Sequence, residues 1–309
     1  MNLGRFKYFA AALVSVVIWG FFAIPLRNLK EYSSEVILHY RIFTSLLITW
    51  LLILLFRRKE IRRDIAFLRL SSPQSRKRIY LLTLIAGVLI TGNWFTFIYA
   101  VNNVSLTSAA FAYMVCPLIT AMGGFLILKE HLTRIKLVAI GIALVSILIL
   151  AQGSLVEVLW SVFIASLYAF YLIIQRVITQ LDKLNVLGVQ LIISLVIMLP
   201  LFIYNHTAFP MELNFWVNIL IISVVFTIIP LFLSLYALIG MPSSTLGIII
   251  YLNPVIAFAV AFLYFNDKIN PYQVYAYFLL FAAVVVFNWN LIGSIFQKRY
   301  DKLKTTDIR

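Results

Sequence analysis

The chain is short of nearly everything a water-soluble domain of its length depends on. Only 12% of its 309 residues are charged, while 63% are hydrophobic. No soluble fold keeps that balance in solution, so the chain reads as a membrane protein. It has a single cysteine, Cys116; an intramolecular disulfide is excluded, and the apolar run around Cys116 makes it a small core residue. No His, Cys or acidic residues stand at metal-ligand spacing, and neither a metal nor a cofactor is expected. H-E-x-x-H, G-x-S-x-G and an ATP-binding loop are all missing, which argues against an intramembrane enzyme and against a pump driven by its own ATPase. The apolar run from Tyr8 to Leu26 also lacks a small-residue cleavage site and is too long for a signal-peptide core, so it is expected to stay as a first helix.

Long apolar runs are what the chain does have. A hydrocarbon core of ~30 Å takes ~20 apolar residues per helix, and roughly ten such spans fit here. They are expected at Lys7–Leu26, Glu35–Phe56, Ile79–Val101, Leu106–Leu128, Lys136–Ala151, Val156–Ile178, Val186–Tyr204, Trp216–Ile239, Ser244–Phe265 and Pro271–Gly293. With the N-terminus inside, 21 of the 25 Lys and Arg residues fall on the cytoplasmic side and only Arg27, Lys30 and Lys268 outside. That bias places both termini in the cytoplasm and the protein in the cytoplasmic (inner) membrane. The net charge of +14 is thereby topological, and nucleic acid is not an expected partner; the bilayer is.

The two halves repeat. Tyr99–Thr133 lies over Tyr236–Asn270 at a constant offset of 137 without a gap, aligning Pro117 with Pro254 and Glu130 with Asp267. Nearer the start the better offset is 149, pairing Phe21, Ile24 and Arg27 with Phe170, Ile173 and Arg176. The twelve-residue difference falls in the long basic loop Arg57–Arg78. Five spans per half is an odd number, so the second half enters from the opposite side. The fold expected is all-α integral membrane, ten helices in two inverted five-helix repeats. Residues 1–151 form the first repeat, 155–293 the second, and 294–309 a cytoplasmic basic tail.

With IWG at Ile18–Gly20, EVILHYR at Glu35–Arg41, GNW at Gly92–Trp94, YAVNN at Tyr99–Asn103 and STLG at Ser244–Gly247, the sequence resembles the RarD branch of the EamA drug/metabolite transporter superfamily over nearly its whole length. The resemblance implies an exporter or permease for small metabolites, a branch name tied to chloramphenicol sensitivity, and a central cavity bounded by spans one to four and six to nine, with five and ten peripheral. A small-molecule solute is then the expected partner, working by alternating access; a channel or a non-transporting scaffold is the competing reading. A monomer holds both halves, and a homodimer stays open.

Arg41 is the most informative residue. It lies about 9 Å inside the outer end of span two, where a charge costs up to roughly 3 kcal/mol. Either it faces a wet cavity and holds an anionic group of the solute, or it snorkels to headgroups or helix-end carbonyls. His39 points about 200° away from it on the same helix. Trp19, Asn93, Trp94, Tyr113, Tyr168, Tyr171 and Tyr251 are polar or polar-tipped residues within spans, suited equally to lining a cavity and to interhelical packing. Pro117 and Pro254 are mid-span hinge candidates that free the carbonyls of Tyr113 and Ile250, and Pro230 is a third. Gly123 and Gly124 suit close helix packing. All eleven acidic residues fall in loops, tails or at span ends; among titratable groups only His39 could relay a proton, and uncoupled diffusion or exchange is as open.

Overall fold

A computed structural model describes residues 3–104, 106–129, 133–204, 209–240, 246, 249–250, 252–266, 271–287 and 289. The described residues are helical, with no strand among them. They form α1 (Leu3–Gly20), α2 (Ala23–Arg27), α3 (Ser34–Phe56), α4 (Arg58–Leu70), α5 (Pro73–Asn103), α6 (Leu106–Leu128), α7 (Arg134–Gly153), α8 (Leu155–Val177) and α9 (Lys183–Tyr204). Next come α10 (Leu213–Ser223), a π-helical turn at Val224–Ile228, α11 (Ile229–Gly240), α12 (Leu252–Ala259), a second π turn at Val260–Tyr264, and α13 (Pro271–Phe287).

Among the described residues, seven helical stretches are long and apolar enough to cross a membrane, and Phe111–Ile127, Val255–Tyr264 and Pro271–Phe287 are shorter apolar helices. Serines start several of them. Ser33 accepts a bond from the Val36 N–H, Ser72 from Ser75 and Ser154 from Glu157, each supplying a donor-hungry helix N-terminus with an acceptor. Pro73 opens α5, where its missing N–H costs nothing. Residues such as Leu47, Leu51, Leu55, Val88 and Leu148 expose apolar side chains around the outside, whereas Leu26, Ile37, Ile42, Ile90 and Ile164 are sealed within. In water that shell would aggregate; against acyl chains it is solvated.

The structure departs from the sequence reading in four places, one of them the second π turn, which lies in span nine. Span one is broken after Gly20 and resumes as α2. Span eight contains a π turn, which shifts its hydrogen bonds by one residue. The segment read as a basic loop folds for half its length into α4, because Ile61, Ile65 and Leu68 recur at helical spacing among its charges. Pro117 does not end α6, which runs from Leu106 to Leu128 through it.

Packing sets the positions of the helices. α8 lies between α5 and α6, α3 packs on α9, and α1 on α11 and α12. Gly123 lets α6 approach α8, since a Cβ there would stand 2.5 Å from Ile173 Cδ1. α7 and α13 pair with each other, joined by the Ser146 hydroxyl donating to the Ala276 carbonyl at 2.6 Å. Tyr251, Glu130 and Asp267 lie outside the described residues, as do most of the STLG motif and the C-terminal tail.

Candidate functional site

Helices from both halves enclose one central cavity. It is lined by Trp19 and Gly20 of α1, Phe22 and Ala23 at the start of α2, Arg41 of α3, Ile90, Asn93, Trp94 and Phe97 of α5, Tyr113 of α6, Tyr168 of α8, Phe226 and Thr227 of the first π turn, Leu231 of α11, and Asn253 and Ala257 of α12. Among the described residues, none of α7, α9 or α13 contributes. The cavity measures about 690 Å³ including its mouth, but its enclosed interior is narrow. Such a space holds a few waters, and an organic solute enters only if the walls part.

Arg41 is buried in the wall. Its Nε donates to Thr227 Oγ1 at 2.8 Å, and its guanidinium carbon lies 4.6 Å from the Trp94 ring centre and 5.0 Å from that of Phe22. Arginine stacks well on aromatic faces, so these contacts hold it without neutralising it. Among the described residues no carboxylate lines the cavity, and none gives Arg41 Nη1 a hydrogen-bond partner. The site therefore concentrates positive charge in a place of low polarity.

The π turn explains why Thr227 serves Arg41. Its hydroxyl donates to the Ile222 carbonyl five residues back at 2.8 Å, leaving a lone pair for the guanidinium. Nearby, Ser223 Oγ donates to the carbonyl of Arg41 itself at 3.2 Å. Thr227 was not singled out from the sequence; one hydroxyl in an apolar run carries little signal until the helix register is known.

Pro230 carries no N–H, so the π turn before it is short of one backbone donor. Trp19 Nε1 supplies one to the Phe226 carbonyl at 3.0 Å, and one turn away Ser15 Oγ donates to the Pro230 carbonyl at 2.6 Å. Trp19 also meets Tyr168 edge to face with centroids 6.4 Å apart, and Tyr168 meets Tyr113 at 6.0 Å. The Tyr168 hydroxyl is buried without a partner among the described residues. Asn93 does two things at once, lining the cavity while its amide donates to the Ile164 carbonyl of α8 at 3.0 Å.

Not every candidate is brought here. His39 stacks on Phe202 of α9, centroids 3.7 Å apart, and does not line the cavity. Tyr171 lies behind Tyr168 and donates to Gln190 Oε1 at 3.4 Å, which also accepts from Gln175 Nε2 at 3.1 Å. Pro117 lies in α6 one turn beyond Tyr113, and Pro254 lies in α12 beside Asn253. Cys116 is buried in the core, its Sγ 3.8 Å from Thr120 Oγ1.

A second polar group closes the Arg57 end of the bundle. Arg57 Nη2 is 2.6 Å from Asp182 Oδ2, while Asp64 of α4 accepts from the Asp182 N–H at 3.0 Å and from Asn185 Nδ2 at 2.7 Å. Lys183 Nζ donates to the carbonyls of Gln175 and Ile178. Between this clasp and the cavity, Ser45, Thr49, Gln190 and Ser194 are buried polar residues of α3 and α9, an unusual density for a bundle interior.

The model of the EamA-like transporter family matches this sequence over residues 6–152 and 155–289. Protein RarD of Streptomyces exfoliatus is 29% identical, over 91% of this chain and 88% of that protein. The uncharacterized transporter YojE of Bacillus subtilis (strain 168) is 26% identical, over 90% and 92%, and Protein RarD of Escherichia coli (strain K12) 25% identical, over 94% and 96%. A crystal structure of a protein 13% identical superposes with a TM-score of 0.65, covering 92% of this chain and 98% of that one, and so shares the fold.

Proposed function

The chain belongs to the EamA-like transporter family, in its RarD-like branch, and on that premise we propose that this multi-pass membrane transporter is a secondary carrier of a small anionic metabolite. Arg41 is the observation that carries the reading: a buried guanidinium in the wall of the central cavity, held by Thr227 and two aromatic rings and facing no carboxylate among the described residues. An uncompensated buried charge is costly, and an anionic group on the solute would relieve that cost. Trp19, Trp94, Tyr113 and Tyr168 would pack around the rest of it, with Asn93 orienting it; Tyr171 and His39 would act from behind these residues.

Transport would proceed by alternating access between two inverted five-helix halves, residues 1–151 and 155–293, in a chain of ten spans with both termini in the cytoplasm. Two observations support the repeat beyond the family model's matching twice. Lys129 and Asn266, 137 residues apart, are the two non-glycine residues with positive φ among the described residues, at 55° and 54°. Each follows a helical stretch, so the offset seen in the letters recurs in the backbone. Trp19 and Tyr168, paired by the offset of 149, meet in the cavity. The narrow cavity and the Arg57–Asp182 clasp suit a closed state, from which a rocking motion at Pro117, Pro230 and Pro254 would open either side.

Uptake into proteoliposomes tests this, with organic acids and phosphorylated metabolites set against neutral nucleosides and chloramphenicol. Saturable uptake of an anion, lost in Arg41→Gln, is the expected result. Saturable transport confined to neutral solutes and untouched by Arg41→Gln would remove the anion reading and keep the carrier. A flux that does not saturate would favour a channel.

A further inference from the structure

The second half of the chain is shorter by twelve residues at the place where the first half folds α4, so this helix serves one end of the bundle only. Ile65 and Leu68 of α4 roof a groove whose walls are Thr83 and Leu84 of α5 and Val189 and Ile193 of α9. The groove is about 870 Å³ including its open side, it is apolar, and Leu84 and Val189 continue it onto the outer, lipid-facing surface. Its one carboxylate, Asp64, is already engaged by Asn185 and the Asp182 N–H, with Arg63 Nη2 3.6 Å from its free oxygen.

On the other side of Ile65 lies a shallow cleft formed by Arg62, Ala66, Arg69 and Leu70. Ile65 lines both spaces, which makes them neighbours on either side of one side chain. Arg62 and Arg69 stand two turns apart on one face of α4, about 10 Å along its axis. Leu70 is 89% exposed next to them, an apolar residue that only an acyl environment would solvate.

We propose that this groove and cleft together bind an anionic phospholipid, one acyl chain lying under α4 against α5 and α9 and the phosphate resting between Arg62 and Arg69. The apolar groove selects a lipid over a free phosphate, because burying an acyl chain is the larger gain there. The two arginines select an anionic headgroup over a zwitterionic one, whose ammonium they would repel. An occupied groove holds α4 against the bundle and so supports the Asp64 contacts to the segment at Asp182 and Asn185. The inference rests on the chain lying in a bilayer and is independent of which solute Arg41 meets.

Native mass spectrometry of the purified protein, released from micelles doped with phosphatidylglycerol or with phosphatidylcholine of the same acyl chains, tests it. Phosphatidylglycerol should be retained roughly tenfold better than phosphatidylcholine. Arg62→Gln/Arg69→Gln, a change of two surface residues, should erase the preference. Thr83→Trp, which fills the groove, should reduce retention of both lipids, and circular dichroism on each variant confirms that the helices persist. Equal retention of the two lipids by the unaltered protein would overturn the proposal. So would a preference surviving the double substitution, or retention unaffected by Thr83→Trp in a folded protein.

Discussion

Trp19 Nε1 donates to the carbonyl of Phe226 across 3.0 Å, in the π turn just before Pro230, a residue that brings no N–H to that stretch of helix. α1 thus supplies a donor where the π turn and Pro230 leave the backbone short of one, while Ser15 makes the same kind of bond one turn away to Pro230 itself. Two helices from opposite halves are pinned at a point where one of them is free to bend, at the edge of the cavity.

Replacing Trp19 with Phe removes the donor but keeps an aromatic ring. The stranded carbonyl should cost about 1–3 kcal/mol, read as a lowered midpoint of thermal unfolding in detergent. Pro230→Ala restores an N–H one helical turn from the same carbonyl, so the double variant should lose less than Trp19→Phe alone. If the two losses simply add, the Trp19 bond is not compensating for Pro230.

For Arg41 the signs of two effects should part. In the absence of solute its charge is a burden on the fold, so Arg41→Met should change stability by less than about 1 kcal/mol, or raise it, since well-packed apolar replacements of buried charges are often neutral or stabilising. The same variant should lose the rise in unfolding temperature that an anionic solute gives the unaltered protein, about 2.7 kcal/mol at ~100 times its dissociation constant. Arg41→Lys should recover only part of it, because an ammonium cannot reproduce the bond to Thr227 and the stacking on Trp94 together. A large loss of stability in Arg41→Met without solute would make Arg41 a structural residue.

The clasp at Arg57 and Asp182 is partly shielded, the two side chains 31% and 12% exposed. Asp182→Asn weakens the ion pair and, by letting that end open more often, should speed labelling of buried groups above it. The single native cysteine makes this measurable: on a Cys116→Ala background, Ser45→Cys is a sealed reporter. Loss of ~1 kcal/mol from the pair should raise its maleimide labelling rate about fivefold, from the membrane side that carries Arg57. An unchanged rate would mean that the apolar packing, not the ion pair, holds this end closed.

Much of this could be seen in the letters, and what could not has identifiable causes. Spans were legible because lipid demands long apolar runs, and Arg41 because nothing else in such a run costs as much. α4 was hidden because nine basic residues between Arg57 and Arg78 mask a pattern of Ile61, Ile65 and Leu68 that only burial makes visible. Thr227 was hidden because its role depends on a π turn, a backbone choice with no side-chain signature in Val224–Ile228. His39 and Arg41 parted company as their 200° separation requires, one turning to Phe202 and the other to the cavity.

Two glycines separate packing from propensity. A Cβ at Gly87 would stand 2.8 Å from Ile193 Cγ2 and 3.0 Å from its Cβ, atoms too near the backbone to swing aside, whereas a Cβ at Gly141 would meet nothing within 4 Å. Both lie inside helices, so alanine should help each by about 0.5–1 kcal/mol through the chain entropy it removes. At Gly141 that gain stands alone, and Gly141→Ala should stabilise. At Gly87 the forced separation of α5 and α9 should cost about 1–3 kcal/mol, so Gly87→Ala should be a net loss. Adding Ile193→Ala to Gly87→Ala clears the contact, and the pair should then be more stable than the sum of the single changes. Because α5 carries Asn93 and Trp94 one to two turns beyond Gly87, the loss should reach the site as well. Gly87→Ala should weaken solute binding while Gly141→Ala leaves it unchanged, and equal effects of the two on binding would mean that the α5–α9 contact does not position the cavity wall.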